Sequence, residues 1–264
     1  MFQIYQIDAF TNDVFGGNPA AVVPLKTWIP DAYLQKIAAE NNLSETAFYV
    51  EENEDYRLRW FTPIAEVDLC GHATLAAAYV LFFVFDYPNE VITFYTRSGE
   101  LRVQKVGNLL QMDFPQTQTT PTTHYKEEVA KALNYTPFKE IRKAGNDVLV
   151  VFETQEDVAQ LKPNMSLLEQ IDCRGIICTA PSSEEGIDFV SRFFAPQVGV
   201  SEDPVTGSAH TSLVTYWSEK WQKNTFIAKQ ISKRTGILTL EKTENRVFIQ
   251  GNAKLYMEGK IYLA

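Results

Sequence analysis

Residues 70–85 read CGHATLAAAYVLFFVF, and from Ala73 to Phe85 the chain runs 13 residues without a charge. At helical periodicity such a stretch has no polar face, and a helix that is apolar all round must be covered by protein on every side. It is too short for a bilayer, which takes about 20 apolar residues. Strand patterns greatly outnumber helical ones in this chain, so the economical cover is a sheet curled around the helix.

The strands can be read in order. IYQIDAF alternates apolar and polar residues, and FGGNPAAVVP is a Gly-Asn-Pro turn that feeds a short strand. Pro30-Asp31 opens a helix that stops near Asn41-Asn42. SETAFYV, YRLRWF, VITFYT, ELRVQKV and LLQMDF follow as strands, with hairpin turns at Arg97-Ser98-Gly99 and Gly107-Asn108. PQTQTTPTTHY, residues 115–125, reads as a linker close to the middle of the chain. Beyond it come a helix (KEEVAKAL), three strands (VLVVFET, GIICTA, IDFVSRFF), another helix and a closing run of strands.

An internal repeat organises this list. WFTPIAEVDLCGHATLAAAYVL in the first half matches FFAPQVGVSEDPVTGSAHTSLVTYW in the second. Each runs aromatic–Phe–small–Pro, a loop with an Asp, Gly-polar-Ala, and a helical segment carrying a Tyr. Pro63 lies 8 residues before Gly71 and Pro196 lies 11 before Gly207. Duplication is the better reading of such a match on both sides of a midpoint linker. It predicts an α+β chain of two similar strand-rich barrel domains, each around a central helix. Their expected bounds are 1–115 and 116–264, with the last strand able to return to the first domain.

Composition narrows the partners. The net charge is −9, from 33 acidic and 24 basic residues, which repels phosphate backbones and makes nucleic acid an unexpected partner. MFQIYQIDAF has neither a basic start nor an apolar run, so neither a signal sequence nor a membrane anchor is expected. Three cysteines without a CxxC pair suit a reducing, cytoplasmic compartment.

The candidate chemistry lies at the two helix starts. A helix N-terminus offers unsatisfied N–H groups and partial positive charge, so two of them facing one cleft would hold a carboxylate without any Arg or Lys. The same dipole is expected to keep His72 neutral and to make the Cys70 thiol easier to ionise. The plain alternatives are a capping role for His72 and a small buried hydrophobe for Cys70. Asp203-Pro204 suits a helix start; if the helix begins at Gly207 instead, Asp203 is free to act as acid or base, and Ser208 can cap the helix and bind a ligand oxygen. Glu45 follows a helix end and opens an apolar strand; the plain alternative for it is a solvent-facing strand residue, which spacing alone does not exclude.

Four motifs, IDAFTNDVFGGNPAAVV, NLSETAF, WFTP…EVDLCGHATLAAAYVL and RFFAP…EDPVTGSAH, together resemble the PhzF-like phenazine-biosynthesis isomerase family over essentially the whole chain. The resemblance implies the diaminopimelate epimerase-like fold with an active site between two domains. It also implies a homodimer and an isomerase that needs no cofactor and shifts a proton on a small, cyclic carboxylic acid. By that resemblance Glu45 is the acid/base, its pKa raised by a partly dry cleft. His72 and Asp203 are then cleft residues, and Gly71, Gly207 and Ser208 bind substrate. Related epimerases use two cysteines, one in each half. Here the second motif has none, which leaves a mixed Cys70–Asp203 pair as a minority alternative, and a carboxylate-binding protein without chemistry as another. Nucleophilic attack by Cys70 with His72 as base is disfavoured, because residues two apart at a helix start do not face each other and no third orienting group is apparent. No spacing supports a metal site from Cys70, His72 and His210.

Overall fold

The structure, a computed structural model, describes residues 1–135 and 137–263. The chain divides into two units, Met1–Asp113 with Gln250–Ala264, and Phe114–Ile249. The expected boundary at 115/116 falls just beyond Asp113. The closing strand Ala253–Ile261 belongs to the first unit, where it pairs antiparallel with Phe2–Ala9.

The two units share one internal topology. In the first, Asn18–Leu25 pairs parallel with Glu45–Glu52, which pairs antiparallel with Asp55–Phe61; this in turn pairs parallel with Val91–Thr96, and that strand antiparallel with Gly99–Val106. In the second, Asp147–Val151, Gly175–Pro181, Phe189–Ala195, Thr225–Gln230 and Gly236–Lys242 repeat the same alternation of parallel and antiparallel pairs. Antiparallel neighbours need only tight turns, whereas each parallel pair requires a crossover. The second crossover of each unit is the segment the sequence repeat marks: helix Gly71–Tyr79 in one and helix Gly207–Trp221 in the other. The α+β architecture read from the repeat is therefore borne out.

Gly71–Tyr79 is buried from His72 to Ala78 without a break. It packs on Phe2–Ala9, Asn18–Leu25, Glu45–Glu52 and Ala253–Ile261, so one sheet covers an apolar helix from several sides. Its alanines let the strands approach closely. From Val80 to Val84 the backbone widens into a π-helical turn, where the sequence had suggested a continuous α-helix; Phe85 N–H bonds back to Val80 O at 3.0 Å. Gly207–Trp221 is buried from Ala209 to Ser218 despite two threonines and two serines there, because their hydroxyls bond to carbonyls within the helix or to Asn224. Trp217 stacks on Phe189 and Trp221 and donates its indole N–H to Thr179 Oγ1.

The expected linker is not all irregular. Thr119–Pro121 forms a short strand on Glu140–Ala144, held by the buried Arg142, which donates to Thr119 Oγ1 and to its carbonyl. Two short helices, Gln155–Ala159 and Met165–Leu168, were not legible in the sequence. Among the described residues no helix is long and apolar enough to cross a membrane.

Candidate active site

In the first unit three segments converge on His72. Glu45 opens its strand beside Ala20, two residues along from Asn18, so the parallel register places Asn18 and Glu45 at the same end of adjacent strands. Gly17 makes that register accessible: its φ is +60°, and a Cβ there would stand 2.0 Å from Ala9 O, so only glycine fits. Cys70 precedes the helix in an extended conformation and His72 lies in its first turn, tied down by Thr74, whose hydroxyl donates to Cys70 O at 2.6 Å.

His72 is contacted on both ring nitrogens. Its Nε2 lies 3.1 Å from Glu45 Oε2, with side-chain exposures of 5% and 13%. The two atoms are close enough for an ion pair but off the line of a hydrogen bond, so neither has an aligned partner. On the other edge, Asn18 Nδ2–H donates to Nδ1 at 3.1 Å and Cys70 Sγ approaches Nδ1 to 3.5 Å. With Asn18 in this orientation Nδ1 is an acceptor and a neutral ring carries its proton on Nε2, facing Glu45. A doubly protonated ring requires Asn18 to turn its carbonyl oxygen inward.

Two expectations of protonation change here. The Cys70 thiol is pushed up to about 11, chiefly by burial and then by the Glu45 carboxylate, so the helix dipole does not make it easier to ionise. For His72, burial alone would lower the pKa, but the Cys70 sulfur and the Glu45 carboxylate outweigh it and the net direction is up. With the thiol protonated near neutrality, Glu45 is the group that holds the proton on His72. Cys70 and His72 also do face each other, contrary to the spacing argument, because Cys70 sits outside the helix with extended backbone. Glu45 is turned inward, not toward solvent.

The donor atoms of Glu45, Cys70 and His72 all lie within 4.8 Å of one another, as in a metal site. Cys70 and Glu45, however, approach opposite ring nitrogens. Asn18 Nδ2–H already occupies Nδ1, which leaves Nε2, beside the Glu45 carboxylate, as the ring nitrogen open to an ion. His210 is core: Nδ1–H donates to Thr206 O at 2.7 Å, Nε2 lies 3.4 Å from Ser191 Oγ, and burial lowers its pKa to about 4.

In the second unit Asp203 ends the strand Val200–Asp203 and Gly207 begins the helix. Thr206 occupies the N-cap position, but its hydroxyl donates to Asp203 Oδ2 at 2.5 Å and does not cap. Ser208, expected as the cap, lies inside the first turn. Gln230, fully buried, fixes the approach by donating to Asp203 O at 2.6 Å and accepting Thr206 N–H at 2.8 Å. Ser208 Oγ accepts from Arg174 Nη1 at 3.0 Å, so a guanidinium does attend this helix start. Asn18, Gln230 and Arg174 were missed from sequence. Only Asn18 had a signal, the Gly-Gly-Asn-Pro turn.

The comparisons with known proteins agree with this architecture. The model of the PhzC-PhzF family, phenazine biosynthesis-like protein, matches residues 7–259. An uncharacterized isomerase of Pseudomonas aeruginosa is 48% identical over 98% of each chain, and one of Halalkalibacterium halodurans is 47% identical over 98% of each. The crystal structure of a phenazine biosynthesis protein of the PhzF family from Enterococcus faecalis is 45% identical, covers 99% of each chain and superposes with a TM-score of 0.93. A probable proline racemase from Agrobacterium radiobacter shares the fold at 10% identity and a TM-score of 0.63. The chain is an isomerase by these relatives. It belongs to the PhzC-PhzF family of phenazine biosynthesis-like proteins.

Proposed function

We propose that this isomerase moves a proton between carbons of a small, cyclic carboxylic acid by general acid/base catalysis on its own side chains. The observation that carries the reading is the Glu45–His72 pair: a carboxylate 3.1 Å from a buried imidazole, with both facing atoms buried and neither committed to an aligned hydrogen bond. A carboxylate so placed takes a proton from a C–H bond and returns it elsewhere, while His72 balances the charge that Glu45 gains or loses. Positioned acid/base groups contribute roughly 10²–10⁴-fold to rate. Asp203, Gly207 and Ser208 serve the same reaction in this proposal, Asp203 as a second acid/base residue and the others as substrate contacts. Gly71 is a further substrate contact in this proposal.

The contacts Cys70–His72–Glu45 also have the order of a nucleophile, a base and an orienting carboxylate, which favours a second reading as a covalent thiol enzyme. Burial of Cys70 and a thiol pushed up to about 11 argue against an activated nucleophile, and equally against a mixed Cys70–Asp203 epimerase. The test is incubation in D2O with cyclic and amino carboxylic acids, dihydro-hydroxyanthranilate among them, with C–H loss followed by NMR beside Glu45→Gln. Exchange that disappears with Glu45→Gln supports the proposal. Exchange that survives it, or binding without any exchange, sinks it, and the second of these leaves a carboxylate-binding protein.

A further inference from the structure

We propose that Arg174, through its pair with Asp147, is a positioning residue that commits the Ser208 hydroxyl to donating, and so sets the site's preference for a carboxylate over a neutral amide. This rests on the reading of Ser208 as a ligand contact.

The arrangement follows from strand register. Asp147–Val151 runs parallel to Gly175–Pro181 with Asp147 opposite Gly175, which brings Arg174 beside Asp147. Arg174 Nε donates to Asp147 Oδ1 at 2.8 Å and Nη2 to Oδ2 at 2.5 Å, a bidentate fork on a carboxylate that is 5% exposed. The guanidinium lies over the Phe193 ring at 5.2 Å. Two hydrogen bonds and a stacked ring leave the group little freedom, and its remaining edge points at Ser208, with Nη1 3.0 Å from Oγ.

A guanidinium has five N–H donors and no acceptor, so in this contact Ser208 Oγ accepts. The hydroxyl has one proton, and it must point elsewhere; among the described residues none accepts it. Ser208 therefore presents its one proton, polarised by the cation behind it, to whatever occupies the space in front, and the same cation makes the second oxygen lone pair a poorer acceptor. An acceptor-only group such as a carboxylate satisfies it in any orientation. A primary amide does so only with its oxygen and never with its nitrogen. Lysine in place of Arg174 would keep the charge but lose the fork that aims it.

The experiment is an NMR titration of the full-length ¹⁵N-labelled protein with benzoate, cyclohexene-1-carboxylate and their primary amides, read at the Gly207, Ser208 and Ala209 amides. Wild type is expected to bind at least one carboxylate about tenfold more tightly than its amide, the size of one hydrogen bond to a charged group. Arg174→Gln should erase that preference and Arg174→Lys should recover part of it. Because Arg174→Gln leaves Asp147 unpaired and risks misfolding, Ser208→Ala is the companion: it should lose the same preference with the Asp147–Arg174 pair intact. The double variant should lose no more than Ser208→Ala alone. A preference unchanged in Arg174→Gln, losses that add in the double variant, or no preference in wild type overturns the proposal. C–H exchange dependent on Glu45 is read separately, so proton transfer can stand while this fails, or fail while this stands.

Discussion

Glu45 Oε2 and His72 Nε2 stand 3.1 Å apart at the start of a strand and the start of a helix that are 27 residues apart in the chain. The carboxylate is what opposes the effect of burial on the imidazole while the Cys70 thiol is protonated. Glu45→Gln is nearly isosteric and removes the charge. It should leave substrate-sized carboxylates bound, cut proton exchange by roughly 10²–10⁴-fold, and move the His72 titration downward, because burial is then far less opposed. ¹H–¹⁵N spectra of the histidine ring across pH would show the movement; an unchanged titration would remove Glu45 as its cause.

The two buried histidines should bend the pH–stability curve in opposite directions. His72 has its pKa raised in the folded chain, so its contribution is complete below the unfolded value of about 6.5 and is lost as pH rises through the higher folded value. His210 is lowered to about 4, so its contribution is complete above about 6.5 and is lost as pH falls toward 4. At about 1.4 kcal/mol per pKa unit the second loss is roughly 3 kcal/mol by pH 4. Urea unfolding from pH 4 to 9 should show His210→Gln flattening the acid limb and His72→Gln flattening the alkaline one. The reverse assignment would refute both directions.

What the sequence disclosed was what is local or periodic. An uncharged run from Ala73 to Phe85 implied a covered helix, and the Pro–Gly-polar-Ala repeat located the second helix at Gly207. Both follow from one chain segment meeting water or not. Asn18 on His72 and Arg174 on Ser208 were invisible because each contact depends on parallel strand register, which spacing along one chain does not determine. The thiol prediction failed for a related reason. It weighed the helix dipole, a local property, without burial and the Glu45 charge, which arrive from elsewhere in the fold. The N-cap assignment to Ser208 failed because Gln230 holds the turn at Thr206, two residues earlier, where Asp203 claims the Thr206 hydroxyl.

Cys70 supplies a sharp test of the acid/base reading. A thiol held up at about 11 and 7% exposed is almost wholly protonated at pH 8, so iodoacetamide should modify it far more slowly than a free cysteine. Cys70→Ser should retain proton exchange within a few-fold of wild type. Rapid alkylation of Cys70 with loss of activity, or a Cys70→Ser variant without exchange, would restore the thiol to the chemistry.

Gly17 and Gly107 separate backbone strain from steric conflict. Their φ values are +60° and +63°, so alanine at either pays a similar left-handed penalty, about 1–2 kcal/mol. At Gly107 a Cβ meets open space, whereas at Gly17 it would stand 2.0 Å from Ala9 O and 2.9 Å from its carbonyl carbon. Gly107→Ala should therefore cost only the strain and leave activity untouched. Gly17→Ala must shift the turn that carries Asn18, so it should lose more stability and also loosen the hydrogen bond at His72 Nδ1. Denaturant midpoints compared with exchange rates for the two variants would decide it. Equal midpoints, or a fully active Gly17→Ala, would mean that this turn does not set the position of Asn18.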